Sequence, residues 1–157
     1  MRPTEPFRRE HQELLTHIEH IAQAAREVAR LDRAERKLLV GRIVEFLRGT
    51  LVPHARAEEE VLYPEWAKLV GFADAAVPMV HDHDAIVERI DRLEQADIEE
   101  VETLQELLYG LHALISVHFR KEEDIQLPAF DAAAPEVTEA VLERMETLTG
   151  HAHEHGD

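Results

Sequence analysis

The chain has no cysteine among its 157 residues, which excludes disulfides, thiolate metal sites and cysteine nucleophiles together. Glycine and proline are few, six and seven, beside 45% hydrophobic and 32% charged residues: a globular profile with a helical leaning, not a disordered one. Basic residues are in short supply. Seventeen Lys and Arg against 33 Asp and Glu leave a net charge of −16, which argues against nucleic acid or anionic membrane as a partner. No apolar run approaches the roughly 18 residues of a membrane span, and no apolar signal segment opens the chain. A cytoplasmic location is the expectation. The length suits one domain that buries its core without covalent staples.

Histidine is abundant, eleven residues, and its placement carries the argument. The stretch "HARAEEEVLYP" (54–64) is echoed by "HFRKEEDIQLP" (118–128). Each opens with His, places a Glu pair four and five residues on, and closes with Pro. The echo extends upstream, where Pro6 stands five before His11 and Pro78 five before His83. Two weakly similar halves, about 6–64 and 78–128, each supply a helix with an early histidine and then a helix with H-x-x-x-E-E.

Apolar residues recur at helical spacing, and no run alternates as a strand would. A first helix is expected over about 5–30. A second opens at the D-x-x-E box of Asp32 and Glu35, is kinked by Pro53, and ends near Leu62 with the help of Pro64. A third runs from Pro78 through Leu93. A fourth opens at Asp97 and Glu100 and runs to about Gln126. A fifth, shorter one follows Pro135 and stops at Gly150. The expected fold is all-α: an up-down four-helix bundle with an additional short C-terminal helix, forming one domain over 1–150. Residues 151–157, "HAHEHGD", read as a His-rich flexible tail.

His11, His54, His83 and His118 each fall inside an apolar, core-facing stripe. Glu58 and Glu122 lie four residues after His54 and His118, about 40° round the helix, so they share that face. An unpaired buried carboxylate costs several kcal/mol and would ordinarily neutralise. Four imidazoles and two carboxylates inside one bundle call for a compensating cation, and no Arg or Lys occupies a matching position. Nitrogen and oxygen donors without sulfur suit iron, manganese or zinc. Two carboxylates able to bridge, with histidines at the ends, favour a dinuclear centre. The order is His-x-x-x-Glu, not the Glu-x-x-His of ferritin-like proteins, and H-E-x-x-H is absent.

With "EH" at 10–11, H-x-x-x-E at 54–58, "DH" at 82–83 and H-x-x-x-E at 118–122, the chain resembles the hemerythrin-like (HHE, cation-binding) family over about residues 6–128. The resemblance implies a non-haem di-iron centre, with His11, His54, His83 and His118 as terminal ligands and Glu58 and Glu122 as bridges. It implies a small partner, O2, peroxide or NO, that is bound, sensed or transformed. The dioxygen carriers of that family have a further histidine one turn before the third, where this chain has Met79. A thioether is a poor ligand for hard iron, so Met79 is expected to pack and to leave a coordination position open.

Glu59 and Glu123 stand about 140° from their histidines and are held as substitute ligands or boundary residues. His112 and His81 are held as second-rank or replacement positions, His17 and His20 as solvent-facing. Tyr63, Tyr109 and Trp66 read as packing or surface aromatics. The function expected is a metal-binding protein acting on a small ligand. The alternatives are a peroxide-decomposing enzyme at the same centre and an iron- or oxygen-responsive regulator.

Overall fold

The computed structural model describes the backbone of residues 1–154 and the side chains of residues 1–150. The apolar stripe of the first segment yields α1 (Glu5–Glu27), which tightens into a 3-10 turn at Val28–Arg30. The second helix starts where the capping pattern places it. Asp32 accepts from the Glu35 amide at 2.8 Å, and the Glu35 carboxylate accepts from the Asp32 amide in return. From there α2 runs over 33–70 and ends at Gly71, whose φ of 74° is the left-handed conformation that glycine adopts without a Cβ clash.

Pro64 does not end this helix, contrary to expectation. The run contains two π turns, Leu47–Leu51 and Glu58–Leu62, and a proline (Pro53, Pro64) stands two residues past each. A π turn already shifts bonding from i−4 to i−5, so a ring that cannot donate sits at a register break and disrupts no regular turn. The same device recurs in α4 (101–132), where the π turn Glu122–Gln126 precedes Pro128 and the helix continues past Gln126 to Ala132. The box at Asp97 does not form. Its carboxylate accepts from the Glu99 amide at 2.9 Å, and α4 begins one turn later, at Val101. Between them, α3 covers Val77–Gln95 with Pro78 in its first turn. The additional helix, α5 (Pro135–Glu154), is 20 residues long, not short, and passes through Gly150 without a cap. The histidines at 151, 153 and 155 lie outside the residues whose side chains are described.

Links 31–32, 71–76 and 96–100 join consecutive helices as an up-down bundle. The topology brings the start of α1 and α3 level with the later parts of α2 and α4, and those are the stretches that carry the paired histidine motifs. One apolar cluster fills the bundle on one side of this level, from Leu14, Ile18 and Leu47 to Ile90, Leu108 and Ile115. A second contains Phe7, Val61, Leu62, Met79, Leu127 and Phe130, and Val141 and Met145 of α5 pack into it. No strand occurs among the described residues, and no described helix is long and apolar enough to cross a membrane.

Candidate metal centre

Between the two apolar clusters lie His11, His54, Glu58, His83, His118 and Glu122, each at most 3% exposed. Glu58 stands between two histidine pairs. Its Oε2 is 3.1 Å from His54 Nε2 and 3.8 Å from His11 Nε2; its Oε1 is 3.1 Å from His83 Nε2 and 3.9 Å from His118 Nε2. Glu122 spans the same divide, with Oε1 3.5 Å from His11 Nε2 and 3.4 Å from His118 Nε2. His83 and His118 bring their Nε2 atoms to 2.9 Å.

Two groups within this set have donor atoms all within 4.8 Å of one another: His11, His54 and Glu58, and Glu58, His83 and His118. Ligands about 2.1 Å from a common ion lie roughly 3 Å apart, so these spacings fit coordination. His11 Nδ1 and Nε2, His54 Nε2, Glu58 Oε2 and Glu122 Oε1 are buried without a hydrogen-bond partner. Orphaned polar atoms at this density are costly, and a bound cation would satisfy imidazole and carboxylate lone pairs at once. The donor set, all nitrogen and oxygen, matches iron, manganese or zinc in chemistry.

Burial and mutual repulsion drive the two central carboxyls apart in protonation. Burial pushes the Glu122 carboxyl up, and the Glu58 carboxylate pushes it further, so Glu122 sits well above the usual range. Burial also acts on Glu58, but His54, a hydrogen bond from Glu122 and its other histidine neighbours outweigh it and hold that carboxyl well below the ordinary value. His54 is desolvated too, which alone would lower it; Glu58 and Glu10 instead push it up to about 10.

Tyr63 was expected only to pack, and the structure corrects this. Its hydroxyl donates to Glu122 Oε2 at 3.1 Å and lies 3.1 Å from both His83 Nε2 and His118 Nε2. In an unbroken α-helix a residue nine after His54 points the opposite way. The π turn at Glu58–Leu62 adds a residue to the turn and swings Tyr63 back toward the centre. The signal was present in the sequence as a tyrosine just before the Pro that ends the repeat, where the second half has Leu127. Burial raises the phenol far above its ordinary value, and Glu58 and Glu122 add to that, so it is held as a neutral donor. Phe119 was also passed over. It stacks on His11 with centroids 4.2 Å apart and planes 5° from parallel.

Other expected positions fall outside the cluster. Glu59 Oε2 is 3.8 Å from His83 Nδ1 and 3.2 Å from Arg56; Glu123 Oε1 is 3.3 Å from His11 Nδ1. Both are on the outer edge of a ring, not among the inward donors. His112 pairs with Glu19 at 3.1 Å away from the centre, and His81 is exposed. His17, exposed, stacks on Phe46. Ile125, which a regular helix would place on the His118 face seven residues on, is 58% exposed because the π turn rotates it outward. Met79 is buried in the same apolar cluster as Tyr63.

A cavity of about 20 Å³ opens beside His54, Glu58, His83 and His118, walled by Leu51, Ile86, Val87, Ile115 and Phe119. Leu114, next to Ile115, is off this wall and packs against the larger cluster.

Residues 2–130 match the family described as the hemerythrin HHE cation binding domain, and the chain belongs to it. No curated protein and no solved structure matches the chain. The His/Glu cluster, set in a helical bundle of that cation-binding family, is consistent with metal binding.

Proposed function

We propose that the cluster holds two iron ions, one on the His11 and His54 side and one on the His83 and His118 side, and that it acts on O2, peroxide or NO. The observation that carries this reading is Glu58, whose two oxygens each face a different pair of histidines. A carboxylate so placed is shared, and Glu122 is oriented to be shared as well. Two adjacent irons, when bound, supply one-electron redox steps and open positions for a small ligand.

The chain's own residues set the rest. Met79 offers the His83 side no further nitrogen, and the Tyr63 hydroxyl lies on that side as a hydrogen-bond donor. The cavity of about 20 Å³ accommodates one water-sized molecule, and its apolar wall admits a diatomic or peroxide while excluding larger substrates. Manganese or zinc would satisfy the same donors, and zinc would do so without any redox step.

Elemental analysis joined to anaerobic and aerobic absorption spectra tests the proposal. Two irons per chain and a spectrum that changes on admitting air are expected; protein that stays iron-free after iron-supplemented expression overturns it. Peroxide decomposition is a second reading, favoured by the Tyr63 hydroxyl as a proton donor at the centre. O2 release from peroxide that exceeds free iron, and vanishes in Glu58→Ala, is the result it requires.

A further inference from the structure

Each ring that turns Nε2 inward presents Nδ1 outward, and what meets Nδ1 decides which nitrogen keeps its lone pair. His54 Nδ1 is 3.0 Å from Glu10 Oε1, and His118 Nδ1 is 2.9 Å from Asp82 Oδ2. An ionised carboxylate only accepts, so each of these nitrogens carries a hydrogen, and Nε2 is the nitrogen turned toward Glu58 or Glu122 and available to a metal. Glu10 and Asp82 are the residues immediately before His11 and His83. Neighbours on a helix diverge by about 100°, so each dipeptide sends its histidine to the centre and its acid across to the next helix's histidine. The arrangement occurs once in each half. By contrast, Glu123 and Glu59 lie 3.3 and 3.8 Å from His11 and His83, without hydrogen-bond geometry.

Resting on the metal reading above, we infer that Glu10 and Asp82 are positioning residues that fix His54 and His118 as Nε2 ligands and strengthen them as donors. Carboxylate partners of ligating histidines orient the ring and raise its basicity. An amide in the same place does neither dependably, because its NH2 group can turn to Nδ1 and favour the opposite tautomer. Lys121 ties Asp82 down from outside, so the second of these acids is itself held in place.

The alternative is that these pairs only tie helices together, as Arg48 does with Glu94 at 2.6 Å on the surface between α2 and α3. Full-length wild type, Glu10→Gln, Asp82→Asn and the control Glu94→Gln are titrated anaerobically with iron(II) against a chromogenic chelator. Metal-free melting and the potential of the loaded protein are measured alongside. Glu10→Gln and Asp82→Asn are expected to weaken iron(II) binding by about 10- to 100-fold each. They should also raise the potential, with losses of affinity larger than any accompanying change in metal-free melting. Glu10 is 44% exposed, so its replacement does not threaten folding. Affinity and potential equal to wild type in both variants, or losses matched by Glu94→Gln, overturn the inference while leaving the di-iron reading standing. Wild type that takes up no iron(II) removes the di-iron reading itself.

Discussion

The Tyr63 hydroxyl donates to Glu122 Oε2 at 3.1 Å across a π turn that begins at Glu58. It is a seventh polar side chain in a centre that the repeated motif defines with six. Tyr63→Phe removes only that oxygen. In the metal-free protein it strands a buried acceptor, for a loss of about 1–3 kcal/mol measured by denaturant unfolding. In the iron-loaded protein iron content should be retained while the O2 release from peroxide that uses this hydroxyl as proton donor falls; a rate equal to wild type would show that the hydroxyl supplies no proton.

Glu58 serves both halves of the cluster, so its loss should not be partial. Glu58→Ala is expected to reduce bound iron to near zero, whereas His11→Ala, which touches one side, retains part of it. The same change leaves His54, a buried cation, without its inward partner, and the metal-free variant should lose about 3–5 kcal/mol. Elemental analysis and thermal melting read the two effects separately.

The metal-free protein should weaken toward alkaline pH. His54 is raised from 6.5 to about 10, first against desolvation and then by Glu58 and Glu10. A group raised on folding contributes stability that is complete below pH 6.5 and disappears as the pH climbs through about 10. Melting temperature recorded from neutral to alkaline pH should fall in wild type and flatten in His54→Gln.

Metal should reverse that trend, because iron competes for the same lone pairs. Loading at 100 times the dissociation constant adds about 2.7 kcal/mol by mass action. Chelator-sensitive melting that rises with iron concentration checks this.

A second pH effect belongs to the opposite limb. Asp131 accepts from the Thr4 amide at 3.0 Å and the Thr4 hydroxyl at 2.8 Å, and pairs with Arg8 at 3.1 Å, pinning the start of α1 to the end of α4. Burial pushes its carboxyl up, but these partners outweigh burial and hold it below the ordinary value. Its contribution is therefore present above about pH 4 and lost as acid protonates it. Asp131→Asn should lower stability by about 1 kcal/mol at neutral pH and show a shallower acid limb than wild type.

The bundle and the convergence of six residues were legible because both rest on period. Apolar stripes at 3.6-residue spacing give the helices, and His and Glu four apart give a shared face. What was not legible lies at the π turns. At 100° per residue Tyr63 points away from the centre and Ile125 toward it, and the turns at Glu58–Leu62 and Glu122–Gln126 reverse both. The same turns let Pro64 and Pro128 sit within helices that a proline ordinarily ends. The Asp97 box was misread for another reason: a short acid can cap a local turn as readily as a helix, and here it bonds Glu99.

Glu58 belongs by sequence to the first hairpin, yet it faces His83 of the second; Glu122 belongs to the second, yet it faces His11 of the first. Neither hairpin owns a full set of donors, so any ion held between them acts as a rivet through the whole bundle. Its escape would then keep time with the parting of the hairpins, and residence would be governed by how rarely the protein opens.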